Sequence, residues 1–245
     1  IQAPSTRQFP DNDIFLSFAR TNDVLANSMF YLPVAFNGKN WGIMNIEPTV
    51  DKYFLELAGQ KDSLALKFDD QVEWNYRIKS AEDQYVKAYK VFDSLFDVNI
   101  MQRKAFLKQE FKQQQFSYLL NMLRLEDKKI LDEVKFCKAI VLSEIWNNQH
   151  ALHKSNTRYF FNPYTLRLEP ILSDQGDYTK ILSTTHINSP KLYHLDERFG
   201  LIANDKNASY RDCIASAFKS INAQMVGLED ITEEVHLQFP NDSRN

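Results

Sequence analysis

The run HALHKSNTRYFFNPYTLRLEPILSDQG, residues 150–176, decides how this chain is read. Thr157–Phe161 and Arg167–Ile171 are apolar, β-prone runs on either side of Asn162-Pro163-Tyr164-Thr165, whose proline favours a turn. The pattern predicts a β-hairpin with Asn156 at its entrance and Asp174 past its exit. An amide and a carboxylate are hard oxygen ligands of the kind Mg²⁺ takes, one or two from protein and the rest from phosphate and water. Taken singly, each has a plainer role: an Asn after a helix forms turns, and an Asp near a glycine caps loops.

Working outward from the hairpin, apolar residues recur at three- and four-residue steps over 81–96, 101–124 and 125–148, with almost no Gly or Pro, which predicts three successive helices. The third carries Ile130, Val134, Cys137, Ile140, Val141 and Ile145 as a stripe able to pack beneath the hairpin. Nearer the start, a short helix is expected around Asp13–Thr21. Met29–Phe36 and Trp41–Ile46 flank Asn37-Gly38, the dipeptide of a tight type I′ hairpin. Thr49–Leu57 has helical spacing with Gly59 as its stop, and Ser63–Phe68 reads as a strand. A polar loop over 175–208 leads to a closing helix over 210–226. The fold class is α+β in a single domain, with a small sheet-bearing part over 1–75 and a mainly helical part over 76–245.

Composition narrows the function classes. The chain has 245 residues, 44% apolar and 25% charged, an ordinary balance for a packed domain, and a formal charge of −3. Binders of nucleic acid usually present a basic surface, so nucleic acid is not an expected partner. No apolar run approaches the ~18 residues of a membrane span. Cys137 and Cys213 lie in helical patterns without metal-ligand spacing, and two separate buried thiols are expected. The chain contains no Gly-x-Ser-x-Gly elbow, no His-Glu-x-x-His and no Walker loop. His150 and His153 at i, i+3 lack the second acidic-His motif of a dedicated zinc site. The aromatic cluster Tyr159, Phe160, Phe161 and Tyr164 is expected mainly as hairpin packing.

Three segments carry a family resemblance: FNGKNWGIMNIE at 36–47, LALKFDDQVEW at 64–74, and the run at 150–176. In this order they resemble motifs of the bacterial spore-coat CotH kinase family, and the third is the most specific. The resemblance spans most of residues 1–176. It implies an atypical protein-kinase-like fold of two lobes, a small partial β-sheet lobe and a mainly helical lobe carrying a catalytic hairpin. It also implies ATP and Mg²⁺ or Mn²⁺ as cofactors, a protein substrate with a Ser or Thr acceptor as partner, and an extracytoplasmic setting. By the same resemblance Asn156 and Asp174 are the metal ligands. Glu47 takes the family's acidic position, where it pairs with a phosphate-binding Lys or contacts metal. Lys67 supplies a point charge for phosphate, and Asp69 and Asp70 face the nucleotide. Each also has a bland reading, as strand-end carboxylate, solvated strand residue and turn.

The chain departs from the pattern in two places. Kinase-like loops put an Asp five residues before the metal-binding Asn, and that position is Ala151. His150 or His153 is the stand-in, since imidazole titrates near neutrality; a hydrogen-bonded structural histidine is the competing account. Residues 1–35 contain no Gly, so a phosphate-holding loop and Lys are expected upstream of Ile1, with Arg7 as a remnant of that strand. The rival function is a catalytically inactive pseudokinase acting as a binding or structural protein, and a third reading is a glycan-binding surface module.

Overall fold

The computed structural model describes residues 1–7, 9–68, 98–125, 128–146, 152, 157–173 and 208–225. The chain is a mixed α+β structure, built from a five-stranded sheet, a separate two-stranded ribbon and several helices. The expected helix over 81–96 and the loop over 175–207 lie outside the described residues.

Helix α1, Asp11–Thr21, buries Phe15, Leu16, Phe18 and Ala19. It leads to the two-residue strand β1, Leu25–Ala26. The ribbon follows as β2, Phe30–Phe36, and β3, Lys39–Ile46, paired antiparallel. Both turn residues have positive φ, Asn37 at 51° and Gly38 at 73°, as a type I′ turn requires. Phe30, Leu32, Phe36, Trp41 and Ile43 of the ribbon stay exposed. Helix α2, Lys52–Leu57, is N-capped by Asp51, whose carboxylate accepts from Phe54 N at 2.9 Å. Gly59, at φ 70°, turns the chain out of it toward β4, Ala65–Phe68.

The described chain resumes with β5, Val98–Ile100, and the short helix α3, Arg103–Phe106, before α4, Glu110–Arg124. The single helix expected over 101–124 is therefore two, although no Gly or Pro breaks it. Carbonyls opened by the break find a side chain: Gln113 Nε2 donates to Phe106 O at 3.3 Å and to Leu107 O at 3.1 Å. Helix α5, Glu133–Ile145, starts at an Asp132 cap, later than expected. Asp132 N donates to Leu168 O at 2.9 Å, which fixes its start against the sheet. α5 is buried on more than a stripe, since Phe136, Ala139 and Leu142 join Cys137, Ile140 and Val141 inside, whereas Val134 is exposed. The second hairpin is β6, Arg158–Asn162, and β7, Arg167–Leu172; the closing helix α6 covers Ala208–Gln224.

The sheet runs β1-β7-β6-β4-β5. β1 is parallel to β7 and the other pairs are antiparallel, so a strand from the first part of the chain, β4, pairs directly with β6 of the second hairpin. Strand alternation then sorts side chains onto two faces. Leu66, Phe68, Tyr159, Phe161, Leu168 and Leu172 enter the main core with α1, α4, α5 and α6. Ala65, Phe160 and Ile171 point the other way, into a smaller cluster with Val50, Phe54 and Leu55 around α2. Burial on both faces explains the continuous apolar run Tyr159-Phe160-Phe161.

The expectation of two separate thiols is corrected. α5 and α6 pack side by side, bring the Cα atoms of Cys137 and Cys213 to 6.1 Å, and the two are joined as a disulfide. No described helix is long and apolar enough to cross a membrane.

Candidate functional site

One rung crosses all five strands: Leu25, Ile171, Arg158, Lys67 and Asn99 stand in register from β1 to β5. Directly opposed residues share a face, so these side chains point to the α2 side of the sheet. Their chemistry changes along the rung, from apolar Leu25 and Ile171 to Arg158, Lys67 and Asn99. β6 begins at this rung and β7 ends one residue beyond it, at Leu172, so the sequence positions before β6 and after β7, which include Asn156 and Asp174, adjoin the same end of the sheet. β4 ends one residue beyond it, at Phe68.

Glu47, which follows β3, reaches this rung. Its Oε1 accepts from Arg158 Nη1 at 3.1 Å and from Asn27 Nδ2 at 2.6 Å. The two charged side chains are 29% (Arg158) and 18% (Glu47) exposed, so the pair is partly shielded and stronger than a fully solvated one. Asn27 is fully buried and ties the carboxylate to the sheet, because its N–H donates to Leu172 O at 2.9 Å. Its own carbonyl accepts from Arg20 Nη1 at 2.5 Å, and its side-chain Oδ1 is enclosed with no hydrogen-bond partner among the described residues. α1 braces the ribbon as well: Tyr31 of β2 donates its hydroxyl to Asp13. Burial is the first cause that raises the Asp13 carboxyl and Tyr31 phenol above their ordinary values, and burial lowers Arg20.

Of the residues expected from sequence, the described structure places Glu47 and Lys67. Glu47 has Arg158 as its cation. Lys67 is Arg158's cross-strand neighbour, and no described group hydrogen-bonds to its side-chain ammonium or forms an ion pair with it. Asn156, Asp174, His150, His153, Ala151, Asp69 and Asp70 lie outside the described residues. Arg7 falls in a 3-10 turn, Pro4–Arg7, with its side chain outside the description. Among the described residues no group of three or more His, Cys, Asp or Glu could hold a metal ion.

Arg158 and Asn27 were not singled out from the sequence. Arg158 stands inside the most specific motif, and its meaning depends on the register that sets it against Lys67. Asn27 carries no sequence signal, since its role comes from the parallel pairing of β1 with β7. Glu144, near the end of α5, is another such residue: burial raises its carboxyl, and its Oε1 is enclosed without a partner among the described residues. Chemically, the rung offers a carboxylate-braced guanidinium beside an ammonium that has no partner among the described residues, an arrangement suited to phosphoryl oxygens. No family model matches the chain, and no curated protein matches it.

Proposed function

We propose that the chain is a protein-kinase-like domain of the CotH type that transfers a phosphoryl group from ATP to a Ser or Thr hydroxyl of a protein, with Mg²⁺ or Mn²⁺. The observation that carries this reading is the cationic rung: Lys67, with no partner for its ammonium among the described residues, beside an Arg158 braced by Glu47, at the sheet end where β6 begins and β7 finishes, with Asn156 before β6 and Asp174 after β7 in sequence. Asn156 and Asp174 would hold the metal, whose bound form supplies charge neutralisation at the phosphates. Lys67 attracts phosphate as a point charge, and Glu47 fixes the guanidinium beside it. His150 or His153 orients the acceptor hydroxyl and takes its proton as the oxygen bonds to phosphorus and the bond to the ADP oxygen breaks. Catalysis with Ala151 in place of the usual Asp is chemically consistent, since a loose transition state depends mainly on positioning and charge.

That same Ala151 favours a second reading, a pseudokinase that binds nucleotide or serves as a binding or structural protein. The disulfide supports an oxidising, extracytoplasmic setting for either. Incubation of the full chain with ATP and Mn²⁺ separates them. ADP release with a phosphoryl mass gain on Ser or Thr of the chain or of an added protein supports the kinase. Nucleotide binding without ADP release supports a nucleotide-binding pseudokinase, and neither binding nor release by a folded chain overturns the kinase and favours the binding or structural role.

A further inference from the structure

Helix α6 is joined to α5 by a covalent bond and by a narrow apolar seam. Among its described residues only Ala217 and Ile221 are buried, while Cys213, Ile214 and, just past the helix end, Met225 are partly covered. These positions fall on one side of the helix at three- and four-residue steps. Arg211, Asp212, Ala215, Phe218, Lys219 and Asn222 are exposed. Ala217 adds no more than a methyl group to the seam. The sheet draws on a much larger core: Leu66, Tyr159, Phe161, Leu168 and Leu172 pack with Phe15 and Phe18 of α1, and Phe160 fills the other face. Hydrophobic stabilisation scales with the apolar area buried, so the sheet keeps most of its own when α6 leaves. A helix of α6's length takes most of its order from packing, and this packing is slight. The bond itself is open to exchange from one side, since Cys137 is fully buried in α5 whereas Cys213 is only partly covered.

We propose that the Cys137–Cys213 disulfide is a redox latch, whose reduction by an external dithiol releases α6 from α5 while the five-stranded sheet stays folded. A thiolate of the dithiol attacks Sγ of Cys213, the bond to Cys137 breaks, and Sγ of Cys137 leaves with the electron pair and takes a proton. The second thiol of the dithiol then attacks the mixed disulfide, which frees Cys213 as a thiol. The dithiol is oxidised to its disulfide by two electrons and the protein gains two thiols. Release uncovers the side of α5 that carries Cys137, with Val141 one turn further along the same side. The redox state of the surroundings thus sets whether this apolar strip and the closing helix are docked or free. The latch does not depend on the kinase-like reading and serves a pseudokinase equally.

The test is hydrogen–deuterium exchange of the full natural chain, read by mass spectrometry without denaturant, before dithiothreitol, after it, and after reoxidation. Alkylation with iodoacetamide counts the thiols at each stage. The expected result is two thiols on reduction, exchange over α6 at least about tenfold faster, and exchange over β6 and β7 changed by less than about twofold. Reoxidation restores the slow exchange of α6. The Cys137→Ala/Cys213→Ala variant should behave as the reduced chain with or without dithiothreitol, which separates loss of the bond from any other action of the reductant. Three results overturn the proposal: α6 exchange unchanged although two thiols are counted, protection lost from α6 and from β6 and β7 together, or a bond that dithiothreitol leaves intact in the folded chain. The second of these would make the disulfide a staple of the whole fold, with no separate helix to release.

Discussion

Joining Cys137 to Cys213 closes a loop across 76 residues of sequence separation, including the second hairpin. Replacing both by Ala removes that constraint from the unfolded chain. The loop-closure entropy for n of 76 corresponds to about 4.5 kcal/mol at 25 °C, an upper value where the unfolded chain keeps residual structure. With a urea m-value of about 2 kcal/mol/M, the midpoint of unfolding falls by about 2 M. For a chain of this size that loss lowers Tm by roughly 9–18 °C. The assay is urea unfolding followed by circular dichroism, on the natural chain with and without dithiothreitol and on the Cys137→Ala/Cys213→Ala variant. The variant and the reduced natural chain should unfold together, well below the oxidised chain. Equal midpoints for all three, with two thiols reactive in urea before any reductant is added, would refute the reasoning. Such a result would also withdraw the support for an oxidising compartment.

Further outcomes follow from the two-faced sheet and from a buried acid. Phe160→Ala and Phe161→Ala point to opposite faces and are both fully buried, so each should cost about 3–5 kcal/mol, while Tyr164→Ala at the exposed turn costs under about 1 kcal/mol. A Phe160→Ala cost as small as that of Tyr164→Ala in urea unfolding would show that the α2 side is not a packed layer. Burial raises the Glu169 carboxyl above its ordinary 4.5, with the hydrogen bond from Asn162 Nδ2 at 2.6 Å partly opposing it. The folded state therefore holds the proton more tightly than the unfolded state, and this group's contribution is present below 4.5 and lost as pH rises through the raised folded value. Glu169→Gln should accordingly gain stability relative to the natural chain as pH is raised from 4 toward neutrality, about the unfolded carboxylate range; a difference flat with pH would remove that assignment.

The hairpins were legible in the sequence because their signals are local. Asn37-Gly38 states its turn type in two residues, and Asn162-Pro163 separates two β-prone runs that pair as expected. Short elements were not legible: β1 has two residues and β5 three, too few for any periodicity to show. The break between α3 and α4 also lacks a local mark, since Gln102 at φ 62° and the extended Gln109 are set by surrounding contacts. These include the ion pair of buried Lys112 with Asp62 at 2.6 Å, which ties α4 to the approach to β4. The cysteine pairing required knowing that α5 and α6 lie together. At the site, Lys67 and Glu47 could be named from motif positions, but their relation could not. Only the register that opposes Lys67 to Arg158 shows that Glu47's cation is the arginine.

The central claim is that the sheet end between β6 and β7 holds a nucleotide through a metal on Asn156 and Asp174. The most direct measurement is calorimetric titration of ATP with Mn²⁺, and with Mg²⁺, into the full chain beside its Asp174→Asn variant. The account predicts binding at about micromolar Kd, roughly 8 kcal/mol, that is abolished in the folded variant and on chelation of the metal. Binding that is equal in the two proteins, or absent from a folded natural chain, would contradict it.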